Sequence, residues 1–149
     1  MEKIKLMLVD DEERFLVTTR KLMEKKGFSV ETANSGITAL EKLKQVEVHV
    51  IVLDVKMPGM DGLTVLKEIK TLYPLVEVIM LTGHATIESA IDGLKLGATD
   101  YLMKPTDLED LMIKVNDAYT KRQTLEEKIR VAQSKKYLKF SQDSIKEEG

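Results

Sequence analysis

With 149 residues, 43% of them hydrophobic and 32% charged, the chain has material for one globular domain and a modest extension. It has no cysteine, which excludes disulfides and thiolate metal sites, and no apolar run nears the roughly 18 residues of a membrane span. Net charge is −2, split between an acidic body (residues 1–119, 15 Lys+Arg against 20 Asp+Glu) and a mildly basic tail (residues 120–149, 8 against 5). So small an excess reads as a solvated helix surface, and no direct nucleic-acid binding is expected. The opening MEKIKLMLVDDEE carries too short an apolar stretch for a signal peptide, so a cytoplasmic location and no membrane contact are expected.

Residues 4–10 (IKLMLVD) form a nearly continuous apolar run, the pattern of a strand buried on both faces of a parallel sheet. Phe15, Thr18, Thr19, Leu22 and Met23 then keep helical spacing within 12–26, and Gly27 offers a stop. Residues 28–33 alternate and predict a strand nearer an edge. Ser35 caps a helix to about Gln45, with Leu40 and Leu43 inward. Residues 48–54 (VHVIVLD) predict the third strand, and Asp61 caps a helix to about Leu72 through Leu63, Leu66 and Ile69. Residues 77–83 (EVIMLTG) predict the fourth, followed by a helix capped by Thr86 and ended by Gly97. Residues 99–104 (TDYLMK) predict the fifth, and Asp107 opens a last helix with Leu108, Leu111, Met112 and Val115 on one side.

Five β-α repeats in about 119 residues imply an α/β fold: a doubly wound parallel sheet, flavodoxin-like order 2-1-3-4-5, helices on both faces. Ligands of such sheets bind beyond the carboxyl ends of the strands, here between strands one and three. That rim is where the chemistry gathers. Strand one ends in Asp10-Asp11, strand three in Asp54, strand four in Thr82-Gly83 and strand five in Lys104-Pro105. Singly, each has a bland reading: a helix cap for Asp11, a surface lysine for Lys104, a strand residue for Thr82. Together they bring three carboxylates, a hydroxyl and an ammonium to one edge. Crowded carboxylates repel, and a hard divalent cation relieves the repulsion. Magnesium suits an all-oxygen site and keeps waters that substrate oxygens can replace. Asp54 could act as a nucleophile forming an acyl phosphate, with Lys104, Thr82 and the Gly83 N–H on the phosphoryl oxygens.

The segments KLMLVDDEE, VIVLDVKMPGMDG, VIMLTGHAT and GATDYLMKP, in this order, resemble the four signature segments of two-component response-regulator receiver domains over about residues 3–119. LTGHAT and GLKLGATDYLMKP most resemble receivers of nitrogen-regulator (enhancer-binding) type. The resemblance implies Asp10 and Asp11 as the acidic pair, Asp54 as phosphoacceptor, Thr82 and Tyr101 as switch residues, and Lys104 as the conserved-type lysine. It further implies a cis Lys104–Pro105 bond and metal ligation by the main-chain carbonyl of Lys56. The cofactor would be Mg2+, or Mn2+ in its place. A sensor histidine kinase or phosphotransfer protein would supply the phosphoryl group. Apart from its own phosphorylation and slow dephosphorylation, no enzymatic turnover is expected. Phosphorylation would draw Thr82 in, let Tyr101 rotate and change the surface of strand four, helix four and strand five. Lys56 and His84 would flank the phosphoryl group, and a basic Lys56 would lengthen the life of phospho-Asp54. Pro58-Gly59 and Gly62 shape the loop after Asp54.

The receiver is expected over 1–120 and a helical extension or linker over 121–149. Leu111, Val115, Ala118, Arg122, Leu125, Ile129 and Ala132 keep a heptad spacing flawed by Arg122. That seam reads as a helix pairing with another chain or leading to an output domain; the alternative is a frayed, charged tail. Homodimerisation is expected through helix 4, strand 5 and helix 5 or through the C-terminal helix, and SQDSIKEEG is expected to be disordered. Three rivals are weaker. A haloacid-dehalogenase-type phosphatase needs an acid where Lys56 stands. A nucleotide- or flavin-binding domain needs a glycine-rich loop after strand one, where two acids sit. A module indifferent to phosphorylation leaves the acidic set unexplained.

Overall fold

The computed structural model describes residues 2–57, 61–83 and 86–148, with side chains through residue 139. Five strands, β1 (Lys5–Val9), β2 (Ser29–Ala33), β3 (Val50–Leu53), β4 (Glu77–Thr82) and β5 (Asp100–Met103), alternate with five helices. These are α1 (Glu13–Lys25), α2 (Gly36–Leu43), α3 (Gly62–Leu72), α4 (Ile87–Lys95) and α5 (Leu108–Glu148). The sheet is all parallel in the order β2-β1-β3-β4-β5, as the sequence predicts. β1, β3 and β4 are its interior strands, and nearly every residue in them is buried. Their side chains feed two cores. Met7, Val9, Ile51, Leu53, Val78 and Met80 meet α2 and α3 on one face. Leu6, Leu8, Val50, Val52, Ile79 and Leu81 meet α1 and α5 on the other.

The predicted caps hold. Ser35, Asp61 and Thr86 each accept a backbone N–H of the following first turn, and Thr86 and Ser89 complete a capping box. α1 and α4 run out at Gly27 and Gly97, both with positive φ. The inward face of α1 differs from the predicted one: Leu16, Thr19 and Met23 are buried, Phe15 is half-buried, and Thr18 and Leu22 are exposed. The two registers share Thr19 and Met23, so periodicity alone could not separate them.

α5 uses the first part of its apolar spacing within the domain. Leu111, Val115 and Ala118 are spent on the chain's own sheet, buried with α1 against β3 and β4. Arg122, the apparent flaw, is 9% exposed. Its guanidinium donates to the main-chain carbonyls of Val48 (3.2 Å) and Leu75 (3.3 Å) and to Glu126 (2.6 Å), fastening α5 to the segments that enter β3 and β4. The helix runs to Glu148. No glycine or proline falls between residues 106 and 148 to stop it.

Candidate functional site

The carboxyl ends of β1, β3, β4 and β5 open on one side of the sheet, and the turns there are short enough to hold side chains in place. The N–H of Asp54 donates to the Val9 carbonyl (2.9 Å), so the ladder between β1 and β3 continues one residue beyond β3 and fixes the Asp54 backbone beside Asp10. Asp10 donates its own N–H to Ala33 (3.1 Å) and accepts the Glu12 N–H on Oδ1 (2.9 Å), which turns the chain into α1. Gly62 packs against the far side of the Asp54 turn. A Cβ there would lie 2.5 Å from the Asp54 carbonyl oxygen and 2.5 Å from the Val55 Cα, so only glycine lets α3 approach this backbone.

Asp10, Asp11 and Asp54 each present a carboxylate oxygen, all within 4.8 Å of one another. Asp10 and Asp54 are buried and Asp11 is exposed, giving two walls and an open side. Burial first, and the Asp10 charge second, push the Asp54 carboxyl above the ordinary carboxylate range. The Lys56 N–H (3.2 Å to Oδ1), the Lys104 charge and a hydrogen bond with Thr82 oppose this without cancelling it. Lys104 reaches in from beyond β5, its Nζ 2.6 Å from Asp10 Oδ2 and 3.3 Å from Glu12 Oε1. Burial pulls Lys104 downward, but Asp10, Glu12 and Asp54 outweigh it and hold the ammonium above its ordinary range. Its Nζ also lies 4.6 Å from the centroid of the Phe15 ring.

Thr82 is fully buried at the end of β4, and its carbonyl accepts the Lys104 N–H (3.0 Å), which ties the two strand ends together. The Lys104–Pro105 bond is cis. Tyr101 is half-buried on β5, its hydroxyl 3.3 Å from Ser89 Oγ in the first turn of α4. Lys56 has an exposed side chain beside the pocket. A Cβ at Gly83 would meet nothing nearer than Lys104 Cβ at 3.9 Å, so packing here does not demand glycine. His84, Pro58 and Gly59 lie outside the described residues. Asp10, Asp11, Asp54, Thr82 and Lys104 thus converge on one rim, and Tyr101 meets Ser89 in the first turn of α4.

Two participants escaped the sequence reading. Glu12, which the sequence does not single out, shares Lys104 with Asp10. Phe15, read from its spacing as a core-face residue of α1, packs against that core and also turns its ring to the ammonium.

Among the described residues the donor set fits a hard divalent ion: three carboxylates, no nitrogen or sulfur ligand, and an open side toward Asp11 for water or substrate oxygens. An ion there would relieve the repulsion that raises Asp54.

The chain is similar to known proteins in sequence and fold. A family model described as the response regulator receiver domain matches residues 6–116. The transcriptional regulatory protein ZraR of Escherichia coli K12 is 37% identical over 117 residues, 78% of this chain and 26% of that protein. A putative response regulator, NtrX-like, of Rickettsia bellii is 38% identical over 120 residues, 79% of this chain and 25% of its own length. The chain therefore spans about a quarter of these curated relatives. Among solved structures, a CheY-like receiver domain protein of Methanospirillum hungatei superposes with a TM-score of 0.80 at 29% identity, covering 83% of this chain and 98% of that one. NtrX of Brucella abortus, in complex with ADP, gives 0.80 at 27% identity, covering 85% of this chain and 29% of that one.

Proposed function

The chain belongs to the response regulator receiver domain family, and on that premise we propose that it accepts a phosphoryl group on Asp54 from a histidine kinase or phosphotransfer protein and relays that event through the β4-α4-β5 surface. The observation that carries this reading is the convergence of three carboxylate oxygens within 4.8 Å, with the Lys104 ammonium on the same rim. An Asp54 oxygen attacks phosphorus, the phosphorus–nitrogen bond of the phosphohistidine breaks, and the imidazole leaves with a proton. Asp10, Asp11, Asp54 and the main-chain carbonyl of Lys56 would hold magnesium, which would supply charge neutralisation for the phosphoryl oxygens. Lys104 pairs with one of those oxygens and Thr82 donates to another. Tyr101 and Ser89 carry the change into α4. Lys56 shields the acyl phosphate from water.

The family's self-limited chemistry makes this a switch and not an enzyme with external substrates. Among the described residues no helix is long and apolar enough to cross a membrane. Action in the cytoplasm, without direct nucleic-acid contact by this chain, is part of the proposal. So is pairing of two copies through the part of α5 beyond Arg122, where Leu125 and Ile129 stay 37% and 39% exposed. Residues 1–120 are the receiver and 121–149 the extension that carries the signal onward.

Incubation with magnesium and acetyl phosphate tests the central claim by intact-mass measurement. The wild type gains one phosphoryl group and Asp54→Ala gains none. Equal labelling of both, or labelling without a divalent ion at the same rate, overturns it.

A further inference from the structure

Lys104 carries the only side-chain cation of the described residues shown to reach the acidic pocket, and the way it is held is specific. Two of its partners are acids: Asp10 at 2.6 Å and Glu12 at 3.3 Å. Neither is a durable anchor. Asp10 is one of the three carboxylates that fit a divalent ion, and an oxygen given to a cation is a weaker acceptor for an ammonium. Glu12 keeps 64% of its side chain in solvent, where a single ion pair holds little. The third partner is the face of Phe15, 4.6 Å from Nζ to the ring centroid. This ring is packed against the α1/α5 core from the first turn of α1, so its position is set by the fold. The electron-rich face of an aromatic ring attracts an ammonium at this range, more strongly where water is excluded. The lysine side chain is 16% exposed, so this contact is shielded from much of the solvent.

We propose that Phe15 is a positioning residue for Lys104: its ring holds the ammonium at the mouth of the pocket when Asp10 is engaged elsewhere, so that the charge is in place for the phosphoryl oxygens. The inference rests on the phosphoacceptor reading of the pocket, but its first half, that ring and ammonium are in contact, does not. In this role Phe15 acts through Lys104. A phenylalanine conserving only bulk would be replaceable by leucine, whereas one that supplies a charge-binding face would not.

Two measurements on the full chain separate these possibilities. Reductive methylation with labelled formaldehyde keeps the lysine charge and places carbon-13 on Nζ. In the absence of divalent ions the Lys104 methyl resonance is expected upfield of the other lysines, shifted by the ring current, and to rejoin them in Phe15→Leu. A Lys104 resonance unmoved by Phe15→Leu overturns the contact itself. The second measurement follows acetyl phosphate labelling of Asp54 in unmethylated protein carrying phenylalanine with none, one, two or three ring fluorines at position 15. Fluorine drains the ring face with little change of shape. The rate is expected to fall stepwise, by about fivefold at full fluorination, with the concentration of acetyl phosphate at half-saturation unchanged and thermal midpoints alike. Phe15→Tyr is expected to retain the wild-type rate. A flat fluorine series, with Phe15→Leu as fast as wild type, overturns the positioning role. If wild-type Asp54 takes no label at all, the phosphoacceptor reading fails and the proposed role with it, while the methyl resonance still reports whether the contact exists.

Discussion

Arg122 offers the sharpest test of how α5 is attached. Arg122→Met keeps the length and apolar stem of the side chain and removes the guanidinium. Two charge-assisted hydrogen bonds are lost, to Val48 O and Leu75 O, both in the segments that lead into interior strands. Hydrogen bonds to charged groups contribute about 1.5–3 kcal/mol each, and carbonyls left unpaired in a buried place add to the loss. The Glu126 pair lies four residues along the helix with Glu126 47% exposed, so it contributes only about 0.3–0.5 kcal/mol. Against these stands the gain from burying a methionine, of order 1 kcal/mol. The net cost is about 2–5 kcal/mol, or roughly 5–20 °C in the melting midpoint of a chain this size. Urea unfolding followed by circular dichroism reads it as a lower midpoint at unchanged slope. Glu126→Gln is the control and should shift the midpoint little. A loss below about 1 kcal/mol for Arg122→Met would refute the view that this arginine clamps the helix and restore it to a solvent-facing flaw in a seam.

Three further outcomes follow from the same packing and charges. Because the Asp54 carboxyl is raised in the folded state, its ionisation costs stability: nothing is lost below the unfolded pKa, and the penalty grows as pH rises through the folded one. Asp54→Asn should therefore melt above wild type at pH 7 without divalent ions, the gap closing toward pH 3; a less stable variant at pH 7 contradicts this. His49 is 4% exposed, accepts the Lys5 N–H on Nδ1 at 3.0 Å and stacks near Tyr119, and burial and then Arg122 lower its pKa. Its contribution is present above the ordinary histidine value of about 6.5 and is lost as pH falls below it, so the wild-type midpoint should drop between pH 7.5 and 5 more than that of His49→Asn. Gly62→Ala should cost more than about 2 kcal/mol, since its Cβ would press on main-chain atoms that cannot move aside; near-wild-type urea stability would show that α3 slides away at little cost.

The fold was legible because three strands are apolar almost throughout and two of the caps, Ser35 and Thr86, mark helix starts without ambiguity. The pocket was legible because a parallel sheet sends every strand end to one rim, so residues 44 and 94 positions from Asp10, namely Asp54 and Lys104, could be placed together without any contact information. What stayed hidden depends on phase and direction. Leu16 and Phe15 differ by one helix step, about 100°, and only packing decides which enters the core. Glu12 and Phe15 belong to the pocket through where their side chains point. Arg122 sits at a heptad position, and heptad spacing does not distinguish a helix that faces a second chain from one that faces its own sheet.

That ambiguity resolves along α5 itself. One apolar stripe runs through Leu111, Val115 and Ala118 into the domain core, meets Arg122 at the sheet edge, and continues through Leu125 and Ile129 where the chain's own sheet no longer covers it. The stripe keeps its phase across the boundary, so a second copy's helix laid along it would extend the burial that the sheet began. Cutting the chain at residue 120 is a poor test, because it also removes the Arg122 clamp. Leu125→Lys combined with Ile129→Lys leaves the clamp and the receiver core intact. Sedimentation should then fall from a concentration-dependent dimer in wild type to a monomer in the double variant, with the acetyl phosphate reaction at Asp54 unchanged. A wild type that sediments as a monomer at every concentration would mean that Leu125 and Ile129 carry the helix toward a different partner.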